Sequence, residues 1–203
     1  MGKIVIIDNR VDNADQLAAN CATTDVVTRV NATSSLPNVI QNITSFCQSH
    51  SFTRFHGLYI ASHGSPGHMM LGMDGLHAGN VPALLGPLRQ YIDGRVVLWG
   101  CNVAADHIVA NNIIDGDLGS FIPYMQPYRE NGPHQQDPLL ALGTMIERIG
   151  RGYVFMHSIA RTLGVPVLGG INTQWVQANW QFIGPWVLVQ PWGSYILSDG
   201  TMG

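Results

Sequence analysis

The sequence predicts an α/β protein with a mostly parallel central sheet and helices on both faces. Short apolar runs alternate along the chain with segments of helical spacing, which is the pattern of repeated strand–helix–strand units. Two of these runs, 57–62 and 95–100, are apolar apart from a polar residue at one end, as is typical of central strands in a parallel sheet. With 203 residues, 46% of them hydrophobic, the chain is long enough for one full core. We therefore expect a single domain over residues 1–203.

Each expected element rests on a local pattern. The strand candidates are rich in β-branched residues, and the helix candidates repeat apolar residues every three or four positions. Ser35 and Asn80 occupy expected N-cap positions, and Gly164 occupies the C′ position where a glycine commonly ends a helix. The apolar stripe over 138–164 fits one helix or two helices that part near 150–152. Expected strands cover 3–7, 25–30, 57–62, 95–100 and 165–170, expected helices cover 12–20, 35–50, 80–92 and 138–164, and expected antiparallel hairpins cover 68–79 and the C-terminal 184–198.

One segment, residues 113–138, does not fit the alternation. It is rich in Pro, Gly, Asn, Gln and Asp, and it is longer than an ordinary connection. Loops of this length in compact domains are usually functional or disordered. We expect a loop-rich insertion here within the single domain.

Composition narrows the partners and the compartment. The net charge is −3, only 11% of residues are charged, and no basic stripe occurs, so a nucleic-acid partner is not expected. No apolar run is long enough to span a membrane, which predicts a soluble protein. The first residues start a strand without the features of a signal peptide, which favours synthesis in the cytoplasm. Lys3 is the only lysine. Compositional drift is one explanation. The alternative is selection against ubiquitination in a protein that is delivered into a host cell.

Neither a disulfide framework nor a metal site is expected. The three cysteines are an odd and sparse set, unlike the even sets of disulfide-rich domains. The eight histidines form no i, i+4 helical pair with a carboxylate, and no Cys/His spacing matches a zinc site. We expect no cofactor.

Two reactive side chains follow the two central strand candidates. His63 ends the run in "GLYIASHGSPG", and Cys101 ends the run in "RVVLWGCNVAA". If the two strands are neighbours, both side chains emerge on one rim of the sheet, because functional groups gather at the carboxyl ends of parallel strands. A thiol needs a base to react as a thiolate, and a histidine can supply that base and later protonate a leaving amine.

Glycines adjoin both reactive residues. Gly64 would let a backbone N–H approach a substrate carbonyl, and the N–H of Cys101 could join it to form an oxyanion hole. A lone histidine after a strand is more often structural, and a lone cysteine usually behaves as a small apolar residue. The pair with its glycines is a better signal than either residue alone.

These motifs carry a resemblance to a known group. "LYIASHGSPGHMMLG" followed by "VVLWGCNVA" resembles the caspase–gingipain–legumain group of cysteine peptidases, and within it a bacterial caspase-like domain found in large surface proteins. The order of elements resembles that group over about 3–105 and again over 152–197; the insertion at 113–138 lies outside the resemblance. The matching motif positions are Ser62, His63, Gly64, Ser65, Gly67, Leu71, Gly72, Trp99, Gly100, Cys101, Asn102, Val103 and Ala104.

The resemblance implies a caspase-like three-layer sandwich and hydrolysis of peptide bonds through an acyl-enzyme. Cys101 would be the nucleophile and His63 the general acid/base, and the backbone N–H groups of Gly64 and Cys101 would hold the oxyanion. The substrate would be a protein or peptide. Two alternatives stay open: a catalytically inactive module used for protein binding or self-assembly, and another acyl-transfer or amidase activity of the same dyad.

The resemblance also suggests where specificity would be determined. In this fold the pocket for the P1 side chain draws on the loops after strands one and five. After strand one, Asp8 would favour basic P1 residues and Arg10 acidic ones, although Asp8 also fits a simple turn residue. After strand five, the expected pocket residues are Asn172, Thr173, Gln174 and Trp175.

Two further features keep two interpretations each. The insertion at 113–138 lies where relatives in the wider group are cut, so it is either an autoprocessing loop or an ordinary surface insertion. Tryptophans crowd the C-terminal part, where core packing and a terminal interface are equally open and a homo-oligomer would fit. These tryptophans are Trp175, Trp180, Trp186 and Trp192.

Overall fold

The computed structural model describes residues 2–50, 54–101, 103–104, 152–171, 180, 182, 185–200 and 202. The strands within them are β1 (Ile4–Asp8), β2 (Val26–Val30), β3 (Phe55–Ala61), β4 (Gly64–Ser65), β5 (His68–Met69), β6 (Leu76–His77), β7 (Ile92–Trp99), β8 (Val167–Gly170), β9 (Trp186–Val189) and β10 (Tyr195–Leu197). The helices are α1 (Ala14–Ala19), α2 (Leu36–Ser49), α3 (Val81–Leu85), a 3-10 helix (Gly86–Tyr91) and α4 (Gly152–Leu163).

Seven strands form the central sheet, in the order β2-β1-β3-β7-β8-β9-β10. The pairs from β2 to β8 are parallel, whereas β9 and β10 pair antiparallel with their neighbours. The expected mostly parallel sheet and C-terminal antiparallel hairpin are confirmed. The 113–138 insertion lies outside the described residues.

Helices cover both faces of the sheet, as the first strand shows. All five residues of β1 are buried, and the four apolar ones alternate between two hydrophobic clusters. Ile4 and Ile6 lie in the cluster that includes residues of α2, α3 and α4, while Val5 and Ile7 lie in the cluster that includes Leu17 of α1. Burying each such side chain contributes about 1.5–3 kcal/mol to stability. A strand buried on both faces must be apolar throughout, which is the pattern seen in the sequence.

A small antiparallel sheet follows β3. It has the order β4-β5-β6 and contains the hairpin expected at 68–79. The hairpin turn needs a glycine at position 75, where φ is 64° and a Cβ would lie 2.5 Å from His68 Nε2. Strand β4 has only two residues, too short to leave a pattern in the sequence.

This hairpin also holds the start of α2. Ser35 is the N-cap as expected, but its side chain makes no capping hydrogen bond. Instead, the backbone N–H of Leu36 donates to Asp74 Oδ2 at 2.7 Å. A carboxylate here satisfies one of the unpaired N–H groups of the helix and interacts favourably with its dipole.

The segment expected as one helix over 80–92 is divided. α3 ends at Leu85, the next six residues form the 3-10 helix, and β7 begins already at Ile92. Pro87 explains the division, because it has no N–H to donate to the carbonyl four residues earlier. The glycine expected to end the last helix is confirmed: Gly164 has φ 75° and its N–H donates to Ala160 O at 2.7 Å. Residues 138–151 of that expected helix lie outside the described residues.

A search of the described residues for a helix long and apolar enough to cross a membrane returns none.

The Asp74 cap leads to a prediction about stability. Asp74→Ala should lower the free energy of unfolding by about 1 kcal/mol, because the Leu36 N–H loses its acceptor at a helix N-terminus. Urea denaturation followed by circular dichroism measures the difference. Asp93→Ala, at an exposed position of β7, is the matched control and should change stability by less than about 0.5 kcal/mol. Equal effects of the two substitutions would contradict a capping role.

Candidate functional site

The pairing of β3 with β7 brings the two reactive side chains to one rim. The strands are parallel neighbours with Ala61 opposite Trp99, and the Ser62 N–H donates to Trp99 O at 3.2 Å. His63 and Cys101 each follow two residues after this Ala61–Trp99 pair. The two side chains therefore leave the sheet from adjacent strand ends, at the edge where parallel α/β sheets concentrate function.

The loops beyond the two strands pack backbone against backbone. A Cβ on Gly64 would lie 2.8 Å from Cys101 O and 2.5 Å from Val103 Cγ1. A Cβ on Gly100 would lie 2.8 Å from Ser62 O. Real Cβ atoms do not make contacts this short, so both positions require glycine for steric reasons. The glycines beside His63 and Cys101 therefore bring the two loops into direct contact.

The ring of His63 is held by the loop after β1. His63 is exposed, and its Nε2 lies 2.9 Å from the backbone carbonyl oxygen of Arg10. Because a carbonyl oxygen only accepts, Nε2 must carry the proton that it donates. In the neutral ring Nδ1 is then the nitrogen able to accept a proton. The contact selects the tautomer in which His63 can act as a base through Nδ1.

Asp8 and Arg10 pair with each other. Asp8 is fully buried, and its two carboxylate oxygens accept from Arg10 Nε at 2.8 Å and Arg10 Nη2 at 2.6 Å. Arg10 Nη2 also donates to Met70 O at 2.6 Å and to Gly72 O at 2.9 Å, and the Gly72 N–H donates to Asp8 at 3.0 Å. A contact of Asp8 or Arg10 with a substrate stays a prediction. In the structure both side chains bind the loop after β1 to the 70–72 segment.

The end of β8 meets the loop that contains Cys101. The backbone N–H of Ala104 donates to Gly170 O at 3.2 Å, and Val103 is fully buried between these segments. The chain that leaves β8 at Ile171 therefore starts beside the loop of Cys101. The four pocket residues expected after this strand lie outside the described residues: Asn172, Thr173, Gln174 and Trp175.

Aromatic rings pack beneath the rim on the α1 side of the sheet. Trp180 contacts Tyr59 edge to face, with ring centroids 5.5 Å apart, and lies 6.2 Å from Trp99. Of the two interpretations left open for the C-terminal tryptophans, Trp180 fits core packing. Trp192 differs, because it is 76% exposed.

The partner of His63 was missed in the sequence. The sequence draws attention to the charge of the Arg10 side chain, whereas its backbone carbonyl makes the contact. A signal existed, since strand β1 ends at Asp8 and is the direct neighbour of β3 in the sheet. The loop after β1 therefore had to lie beside His63.

The three cysteines differ in environment, and none is in a disulfide. Cys47 is fully buried, and burial raises the pKa of its thiol. Burial also raises the pKa of Cys21, with a smaller opposing effect of Lys3. Cys101 is partly exposed at the rim. Among the described residues, no group of three or more His, Cys, Asp or Glu side chains could hold a metal ion.

Comparison with known families gives one match. The model of the family described as "Domain of unknown function (DUF4347)" matches residues 4–113, which is more than half of the chain. The chain belongs to this family. The matched span of DUF4347 contains both strand ends and therefore includes His63, Cys101 and the Asp8–Arg10 pair.

Comparisons with individual proteins add little to the family assignment. A search of curated proteins found no match. Among solved structures, the chain is similar to the crystal structure of the 3-alpha-hydroxysteroid dehydrogenase from Pseudomonas sp. B-0831 complexed with NADH, at 14% identity and a TM-score of 0.38. That match covers 81% of this chain and 76% of the dehydrogenase. A likeness at this TM-score carries no argument about fold or function.

The close packing of the two loops leads to a prediction about Gly64. Gly64→Ala should lower the free energy of unfolding by about 1–3 kcal/mol, because its Cβ would press on the backbone of Cys101. Chemical denaturation measures the change. Gly86→Ala is the control, since its Cβ would have no atom nearer than Thr162 Cγ2 at 4.0 Å and its backbone is helical. A Gly64 variant as stable as the Gly86 variant would contradict the packing.

The cysteine environments predict an order of alkylation. Because their pKa values are raised, Cys21 and Cys47 hold less thiolate at neutral pH than an ordinary thiol and should react slowly with iodoacetamide. Labelling of Cys21 should increase only as the pH rises through its raised pKa, while Cys47 should also need local unfolding. Mass spectrometry of the protein and of Cys101→Ser measures each rate. Fast labelling of Cys21 at neutral pH in folded protein would contradict the burial effect.

Proposed function

We propose that this DUF4347 chain is a cysteine endopeptidase with a caspase-like three-layer sandwich fold, in which Cys101 and His63 form the catalytic dyad. The observation that supports it most is the close packing of Gly64 on the backbone of Cys101, combined with the register of β3 against β7. Together they bring a histidine and a cysteine to adjacent positions on one rim. An activated thiol beside a histidine is the arrangement needed for nucleophilic catalysis.

The proposed reaction starts with a proton transfer. His63 Nδ1 accepts the proton of the Cys101 thiol, and the thiolate attacks the carbonyl carbon of the scissile peptide bond. Backbone N–H groups of Gly64 and Cys101 donate to the oxyanion of the tetrahedral intermediate. As the C–N bond breaks, His63 gives its proton to the leaving amine and a thioester forms on Cys101. Water then attacks the thioester with His63 as base, which releases the acid and restores the thiol.

The contact of His63 with the Arg10 carbonyl supports this assignment. The reaction needs Nδ1 as the proton acceptor, and the 2.9 Å contact keeps the proton of the neutral ring on Nε2. When His63 takes the second proton, the same carbonyl can accept a charge-assisted hydrogen bond from the imidazolium. The loop after β1 thus fits the role of the orienting third group in a cysteine–histidine site.

Specificity in this proposal falls on the chain after β8. Asp8 and Arg10 offset each other's charge, so neither of these two side chains presents an unpaired charge to a P1 side chain. The segment that leaves β8 at Ile171 starts beside Cys101 and remains the candidate for pocket residues 172–175. The substrate class is a protein or peptide. Autoprocessing within 113–138 stays a secondary proposal.

One observation favours the alternative of an inactive module for protein binding or self-assembly. Trp192 is 76% exposed on a turn held firmly against α4, where Tyr153 donates to Gly193 O and His157 contacts Pro191 O at 3.3 Å. Rigid exposed aromatic residues are common at the centre of protein interfaces. In a binding module of this kind, loss of self-association in Trp192→Ala, measured by sedimentation velocity, would accompany an inert Cys101.

The peptidase proposal predicts selective reaction at Cys101. A library of peptide acyloxymethyl ketones with varied P1 residues should label Cys101 alone, and fluorogenic peptides with the preferred P1 residue should be cleaved. Cys101→Ala should abolish both, and His63→Ala should lower cleavage by about 10²–10⁴-fold, the usual contribution of a general acid/base.

Cys21→Ala is the matched control for the loss of a thiol, and it should keep full activity because Cys21 lies beside α1, away from the rim. Equal labelling of Cys21, Cys47 and Cys101 by every probe, with no cleaved peptide, would sink the enzyme proposal and favour the binding module.

A further inference from the structure

We propose that Asp8 and Arg10 are positioning residues that fix the tautomer and orientation of His63 through the backbone carbonyl of Arg10. The idea rests on the proposed function for its consequence in catalysis, but its structural content concerns His63 alone. It assigns to the Asp8–Arg10 pair a role other than contact with a substrate side chain.

Hydrogen bonds between Asp8 and Arg10 close the short stretch of chain that joins the two residues. Besides the two side-chain bonds, the backbone N–H of Arg10 donates to Asp8 Oδ1 at 3.0 Å. The residue that binds the carboxylate through its guanidinium therefore also binds it through its main chain. Three bonds between two residues this close fix the peptide groups around them, including the carbonyl of Arg10. A bidentate guanidinium–carboxylate pair adds defined geometry as well as energy.

The 70–72 segment holds the same loop from the other side. Carbonyl oxygens of Met70 and Gly72 accept from Arg10 Nη2, and the Met70 N–H donates to the backbone carbonyl of His63 at 2.8 Å. His63 is therefore held twice: its backbone contacts Met70, and its ring contacts the Arg10 carbonyl. Arg10 joins the two, because its side chain binds the segment that binds the backbone of His63.

Burial makes this arrangement obligatory. The Asp8 side chain is 0% exposed, so its charge requires the guanidinium beside it. Arg10 cannot turn toward a substrate without leaving that carboxylate buried and unpaired. The His63 ring, by contrast, is exposed, and its contact with the Arg10 carbonyl restrains its orientation. A buried ion pair thus restrains an exposed ring through one intervening carbonyl group.

The test measures the tautomer of His63 directly. ¹⁵N chemical shifts of ring nitrogens, recorded in histidine-labelled protein at alkaline pH, distinguish protonated from unprotonated nitrogens, and His63→Gln assigns the signals. The protein should show the Nε2–H form alone. Asp8→Asn and Arg10→Lys should each give a mixture of both forms, since Lys keeps the charge but loses the guanidinium fork.

Asp25→Asn is the matched control. It makes the same chemical change in the ion pair with Lys3, at the amino ends of β1 and β2 and so at the opposite edge of the sheet, and should leave the His63 signals unchanged. Circular dichroism checks that each variant is folded, and if Asp8→Asn is not, Arg10→Lys decides. An Nδ1–H form in the unsubstituted protein overturns the proposal. So does a pure Nε2–H form in a folded Arg10→Lys variant.

Peptide cleavage supplies the second readout. Positioning predicts that Arg10→Lys lowers kcat by about 100-fold with the P1 preference unchanged, since a small misplacement of a catalytic group has effects of this size. A changed P1 preference at full kcat would overturn positioning in favour of substrate contact. If no peptide is cleaved and Cys101 stays inert, the proposed function fails, while the NMR result on the pair stands by itself.

Discussion

The register between β3 and β7 determines where the two reactive side chains leave the sheet. Side chains alternate between the faces of a strand, so a slip by one residue would move every buried side chain of β3 to the opposite face. Burial prevents the slip, since Leu58 and Ile60 are fully buried on one side and Ala61 is buried in the cluster on the other. The hydrophobic core therefore fixes the spacing of His63 and Cys101, although neither residue belongs to it.

The rim has little freedom of its own beyond that register. Gly64 and Gly100 allow the two loops to touch through their backbones, and a side chain at either position would separate them. Next to them, the buried charge of Asp8 requires Arg10, and Arg10 in turn binds the carbonyls of Met70 and Gly72. Steric exclusion thus keeps the loops of Gly64 and Gly100 in contact, and the cost of burying an unpaired charge holds the loop after β1 against the 70–72 segment. Both make the site rigid before any substrate is bound.

Sequence patterns were sufficient where the physical cause is local or periodic. Apolar runs predict β1, β3 and β7, because strands buried on both faces are mostly apolar. Likewise, Gly164 identified the end of α4 because its positive φ favours glycine. The adjacency of His63 and Cys101 followed from a topological rule about strand ends, not from any local signal.

The errors arose where a local pattern was discounted or a distant contact was decisive. Pro87 is a signal that the helix after Asn80 is interrupted, although the apolar residues of 80–92 have helical spacing. The capping of α2 by Asp74 and the binding of Arg10 to Gly72 depend on contacts 38 and 62 residues apart in the chain. No local pattern marks such pairs. A charged residue considered alone suggests a contact with a substrate, whereas in this fold the charge of Arg10 is paired with another side chain.

The division of roles between the two sides of the rim follows from charge and connectivity. On the β1 side, a buried carboxylate and its guanidinium are fully paired, so this side contributes rigidity and a carbonyl acceptor for His63. On the β8 side, the Ala104 N–H donates to Gly170 O, so the end of β8 lies beside the loop of Cys101. In the proposed peptidase, a group that must hold still and a group that must discriminate between substrates would have opposite requirements. Placing them on opposite neighbours of the β3–β7 pair allows each to vary without disturbing the other.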